Sequence, residues 1–123
     1  MDRYATSSKN TSRSKPKLTV AQSLLLKHLR ELGAWHDYRL EFRFAEDRLF
    51  RFDIADVTAK IGYECDGGQF RGGHMRGMAL ERQYEKDRLA QMLGWRVMRF
   101  TNRQVLTGAA KEWMRTWLAG VSS

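Results

Sequence analysis

Four carboxylates fall where they could act together: Glu41, Asp53, Glu64 and Asp66. Each sits in the polar phase of an alternating stretch. Tyr38, Leu40, Phe42 and Phe44 alternate with Arg39, Glu41 and Arg43; Phe50, Phe52 and Ile54 alternate with Arg51 and Asp53; Ile61, Tyr63 and Cys65 alternate with Gly62, Glu64 and Asp66. A period of two predicts three strands, each with its apolar set on one face. If the strands are neighbours, the acids converge on one sheet face. Like charges held close raise each other's pKa, which is costly without a cation. A hard divalent ion such as Mg²⁺ or Mn²⁺ relieves that cost, because carboxylate oxygens are its preferred ligands. Such an ion lowers the pKa of a bound water and neutralises charge on a phosphoryl oxygen. Phosphodiester hydrolysis is the chemistry this arrangement suits. Spacing alone leaves a plainer alternative open, in which Arg39, Arg43 and Arg51 pair with Glu41 and Asp53 on an ordinary solvated face.

The charge balance points to a polyanionic partner. The chain has 123 residues, with 22 Lys and Arg against 14 Asp and Glu, a formal charge of +8. Nucleic acid is the expected partner, and DNA the first choice. The apolar fraction of 42% supports a real core, and the length suits one domain. A single cysteine, Cys65, excludes an internal disulfide framework and a cysteine-built zinc site. No apolar run reaches the roughly 18 residues a membrane span needs, and the N-terminus lacks a signal core, so a cytoplasmic, membrane-free protein is expected.

The elements that must position the acids can be placed in outline. Residues 1–17, rich in Ser, Thr and basic side chains, read as a flexible tail, with one folded domain over 18–123. Thr19 and Gln22 form a capping box for a first helix with Ala21, Leu25, Leu29 and Leu32 on one face, stopped by Gly33. The link Ala45-Glu46-Asp47-Arg48 predicts a hairpin between the first two strands. The glycine-rich stretch 67–77 reads as a loop carrying Arg71, His74 and Arg76. A helix is predicted from about Met78 to Leu93. Trp95 to Phe100, apolar on both faces, reads as a central strand. A last helix begins near Asn102, with Leu106, Ala109, Ala110, Trp113 and Trp117 on its apolar stripe. The expected class is α/β (α+β), a mixed sheet flanked by helices in the order α-β-β-β-α-β-α.

Several of these segments together resemble a known family. They are Arg51-Phe52-Asp53-Ile54-Ala55, Tyr63-Glu64-Cys65-Asp66-Gly67-Gly68, Gly73-His74, Glu85-Lys86, and Leu93-Gly94-Trp95-Arg96-Val97-Met98-Arg99-Phe100. Over about residues 36–103 they resemble the PD-(D/E)XK nuclease superfamily, in particular small phage and bacterial endonucleases similar to the very-short-patch repair (Vsr-like) enzymes. The resemblance implies a restriction-endonuclease-like core and a magnesium- or manganese-dependent DNA endonuclease of phage or mobile-element type. Asp53 matches the first acidic position, Glu64 the acid of the E-x-K element, and Glu41 an additional upstream glutamate. The lysine position of E-x-K holds Asp66, so Lys86 or His74 must take the missing role, or the chain is a catalytically inactive nuclease-fold module that binds DNA or protein. Asp53 and Glu64, with the carbonyl of Cys65, are the implied metal ligands, and Asp66 would hold a second metal or orient water. His74, Arg71 and Arg76 would contact the scissile phosphate, and Arg51 the nucleic acid. RNA as substrate stays open, since phosphate contacts do not separate the polymers. A chain this short reads a long site poorly, so a structure-specific substrate or a homodimer is expected.

Other residues carry plainer readings. His28 reads as a partly buried structural histidine and His36 as a turn residue. Cys65 reads as core packing, Glu81 and Glu85 as a solvated face, and Trp113 and Trp117 as core.

Overall fold

The computed structural model describes residues 17–67 and 73–122, with the backbone alone at 73–76 and 121–122. Helix α1 (Val20–Leu32) precedes strands β1 (Tyr38–Arg43), β2 (Arg51–Asp56) and β3 (Ile61–Asp66). Helix α2 (Gly73–Met92), strand β4 (Arg96–Thr101) and helices α3 (Asn102–Thr107) and α4 (Ala109–Ser122) follow. The four strands form one mixed sheet in the order β1-β2-β3-β4. β1, β2 and β3 are antiparallel neighbours, and β4 runs parallel to β3 after the α2 crossover. The fold is α+β, with helices on both faces of the sheet.

Local chemistry starts and stops these elements as the residue types dictate. Thr19 accepts from the Gln22 N–H at 3.1 Å, and the Gln22 side chain returns a bond to the Thr19 N–H at 3.0 Å. This is the reciprocal cap that the sequence foretells. Thr101 and Gln104 build a second such box at the start of α3. The hairpin turn between β1 and β2 is held by Arg43, whose guanidinium donates to the carbonyls of Ala45, Glu46 and Arg48.

Two apolar layers enclose the sheet. Leu25, Leu29, Ile54, Ile61, Tyr63, Phe100, Val105, Met114 and Leu118 fill the face under α1, α3 and α4. Phe42, Phe44, Phe52, Ala55, Ala90 and Trp95 fill the face under α2. The strict alternation expected for β1 and β2 fails at one level. Leu40 and Ile54 pack into the first layer, whereas Phe42 and Phe52 pack into the second. Glu41 lies between them with φ of 48°, a left-handed conformation that turns β1 over. The residues across from Glu41 switch with it, and Asp53 stands at that switch.

Gly62 is required by the second layer. A Cβ there would lie 2.5 Å from three atoms of the Phe52 ring. That ring is already stacked on Phe44 at 4.2 Å and tilted against Trp95 at 5.2 Å, so it has no room to move. Gly62→Ala is expected to destabilise by about 1–3 kcal/mol through overpacking, read from urea denaturation midpoints.

Three expectations need correction. Helix α2 begins at Gly73, not Met78, so the helix takes in Gly73 and Gly77, glycines assigned to a loop. Gly77 is exposed and tolerated there, because no side chain needs to pack at that point. β4 is an edge strand, not a central one. It is apolar on both faces because Val97 packs under α2 while Met98 and Phe100 pack under the other helices. The last helix is broken at Gly108, which adopts φ of 90°. The break resets the helical phase, so Val105, Ala110, Met114 and Leu118 are buried while Leu106 and Trp113 are exposed. Trp117 alone of the two tryptophans borders the core.

Candidate functional site

The site lies where β2 and β3 part. Backbone pairing between them runs from Asp56↔Ile61 to Ile54↔Tyr63. At the next position the carboxylates take over the ladder. Glu64 Oε2 accepts from the Asp53 N–H at 2.9 Å, and Asp53 Oδ2 accepts from the Cys65 N–H at 2.8 Å. Each acid is thereby fixed by the strand that carries the other. Buried backbone N–H groups demand a partner, and here the demand itself aims the carboxylates.

Helix α2 supplies the cation. Lys86 Nζ donates to Glu64 Oε1 and lies 5.7 Å from the centre of the Phe52 ring. Burial, reinforced by nearby Arg99, pushes the Lys86 ammonium down to about 8, against the pull of Asp53, Asp87 and Glu41. β4 supplies a second cation. Its register sets Arg99 beside Glu64. Arg99 Nη1 lies 3.8 Å from Glu64 Oε1 and 3.4 Å from Asp66 Oδ1, while Nη2 donates to Asp87 Oδ1 at 2.7 Å. Arg99 and Asp87 were given no role by sequence reasoning. Arg99 stood in the quoted Leu93–Phe100 segment, and its signal is the parallel register opposite Glu64, which no single sequence displays.

Glu41 comes to the same level from β1. Burial and then the Asp53 charge hold its carboxyl above the usual carboxylate range, while Arg51 and Lys86 pull the other way. An acid with a raised folded-state pKa stabilises the fold at low pH, and that contribution is lost as pH rises through the raised value. Glu41→Gln removes the loss. It is expected to raise the thermal midpoint at neutral pH and to leave it unchanged below the carboxylate range; an equal shift at both would refute the electrostatic cause.

The acids thus converge from three neighbouring strands. Asp53 and Glu64 sit side by side, Glu41 flanks Asp53, and Asp66 is held by Arg99. Arg51 is exposed at the start of β2. Cys65 borders the first core layer, and burial, then Asp53 and Asp66, push its thiol up to about 12, so it is no nucleophile. Arg71 lies outside the described residues, as do the side chains of His74 and Arg76. Glu85 keeps a largely solvated side chain, 43% exposed, and pairs there with Arg48 of the hairpin turn.

No group of three or more His, Cys, Asp or Glu side chains among the described residues is arranged to hold a metal ion. Both Glu64 oxygens are engaged, Oε2 by the Asp53 N–H and Oε1 by Lys86, so a hard cation would have to displace Lys86 to reach Oε1. Mg²⁺ keeps most of its waters and takes one or two carboxylates plus substrate phosphate, and Asp53 and Glu64 provide two carboxylates at one spot.

His36 proved more than a turn residue. It is buried, and its Nδ1–H donates to the fully buried carboxylate of Asp56 at 2.5 Å. His28 keeps its structural reading, with a buried Nδ1 and a pKa lowered first by desolvation. No helix among the described residues is long and apolar enough to cross a membrane. Comparison with protein-family models, curated proteins and solved structures found no match.

Proposed function

We propose that this chain is a divalent-metal-dependent DNA endonuclease with a restriction-endonuclease-like core. The observation that carries this reading is the convergence of Asp53, Glu64 and Lys86 where β2 and β3 part, in a chain of charge +8. Asp53, Glu64 and the Cys65 carbonyl would hold Mg²⁺ or Mn²⁺. When bound, the ion would supply a water of lowered pKa and charge neutralisation at the phosphate. Lys86 brings to Glu64, from a helix, the ammonium that the E-x-K position lacks. With its pKa near 8, it can hold or release a proton near neutrality, as a general acid or base must. Arg99 positions Glu64 and Asp66. The basic surface holds the DNA backbone.

The engagement of Glu64 by Lys86 also favours a second reading, a catalytically inactive nuclease-fold module that binds DNA or protein. One assay separates the two. Supercoiled plasmid and labelled branched, nicked and single-stranded DNA are incubated with Mg²⁺, Mn²⁺ or EDTA. Metal-dependent cleavage is expected. Salt-sensitive DNA binding without cleavage of any substrate would establish the inactive module instead.

A further inference from the structure

The hairpin turn between β1 and β2 and helix α2 flank a groove of about 780 Å³ whose lining includes Lys86. Four cations line it: Arg48, Arg51, Arg82 and Lys86. Asp47 and Glu85 oppose them, and Glu85 is engaged by Arg48. Lys86 is likewise engaged, by Glu64, so Arg51 and Arg82, which form no ion pair among the described residues, stand against Asp47 and leave the groove cationic on balance. Its rim is apolar. Leu49, at the turn, is 77% exposed. Phe50 beside it stacks on Phe44 and lies 5.1 Å beneath the Arg48 guanidinium.

We infer that this groove receives an unpaired strand of DNA next to the scissile phosphate, and that Leu49 packs against a nucleobase freed from the duplex. The inference rests on the nuclease reading for the position of the scissile phosphate. Phosphate contacts alone account for the arginines but not for an exposed leucine among them. Cationic grooves edged by apolar or aromatic side chains are the common solution for single-stranded nucleic acid, because a base offers its face only when unstacked. Within a duplex the same side chain must first open a base step, at a cost. A volume of about 780 Å³ is in the range of pockets that take a molecule of nucleotide size. The ion pair between Arg48 and Glu85 spans from the turn to α2 at the edge of the groove.

The test is fluorescence anisotropy in EDTA, where binding is read without cleavage. Wild-type protein is titrated with a forked duplex bearing single-stranded arms and with a blunt duplex of equal length. The fork is expected to bind about tenfold tighter. Leu49→Ala should reduce that preference to less than about threefold without weakening duplex binding, and Leu49→Trp should restore it. Arg82→Ala should weaken fork binding and flatten its salt dependence by about 0.7 in log Kd against log salt, the loss of one phosphate contact. Equal affinity for fork and duplex, or a preference untouched by Leu49→Ala, would overturn the inference. Fork preference in a protein that cleaves nothing would leave the groove intact and remove the nuclease reading; cleavage without fork preference would do the reverse.

Discussion

Asp56→Ala is expected to lower stability by about 3–5 kcal/mol, the range for removing one partner of a buried ionic or strongly hydrogen-bonded pair. Asp56 has no exposed surface, and the His36 side chain that bonds it is also fully buried. The Asp56 carboxylate does two jobs. Oδ2 takes the His36 Nδ1–H at 2.5 Å, and Oδ1 takes the Ala59 N–H at 3.0 Å, closing the turn between β2 and β3. Burial, and after it the Asp56 charge, raise the hydroxyl pKa of Tyr38 and Tyr63, so both phenols stay neutral beside it. Removing it strands a buried imidazole whose Nε2 already lacks a partner among the described residues. Asp56→Asn keeps the size and an acceptor for Ala59, so a smaller loss of about 1–3 kcal/mol is expected. Urea unfolding of the two variants checks this. A loss below about 1 kcal/mol for Asp56→Ala would show that the pair contributes little. A domain is stable by only about 5–15 kcal/mol in total, so the larger loss would leave a marginal fold.

On the proposed nuclease reading, Asp53→Asn is expected to reduce metal-dependent cleavage by about 10²–10³-fold or more, the scale for removing one charge-stabilising group from an active site. Asparagine is the informative substitution. Its side-chain oxygen can still accept the Cys65 N–H that Asp53 takes at 2.8 Å, so the strand junction survives while the carboxylate charge is lost. Alanine would orphan that N–H and mix a folding defect into the result. DNA affinity in EDTA and the thermal midpoint should stay close to wild type. Cleavage within about threefold of wild type would remove Asp53 from the metal site. Loss of affinity as large as the loss of rate would assign Asp53 to binding and not to chemistry.

The acids were legible in the sequence because strand periodicity is local. Alternation placed Glu41, Asp53 and Glu64 in the polar phase, and the antiparallel neighbours β1, β2 and β3 brought them to one level. The same periodicity misjudged the apolar partners. Phe42 and Phe52 were expected to share a face with Leu40 and Ile54, but the left-handed turn at Glu41 sends them to the opposite layer. Lys86 was singled out only through resemblance; its approach to Glu64 depends on how α2 lies across the sheet. Arg99 and His36 were missed for a similar reason. Their partners, Glu64 and Asp56, are 35 and 20 residues away in the chain, and no local pattern encodes a contact at that distance.

The sequence by itself determined what short-range physics controls. That covers the capped start of α1, its stop at Gly33, the existence of the first three strands, and an excess of cations suited to a polyanion. Tertiary structure alone decided the rest. It made β4 an edge strand, reset the last helix at Gly108, and exposed Trp113. It also replaced the backbone ladder between Asp53 and Cys65 with carboxylate bonds, and set Lys86 and Arg99 around Glu64. The physical reason is one of range. Caps and alternation follow from backbone groups a few residues apart, whereas buried charges take the partners that packing of distant segments brings to them.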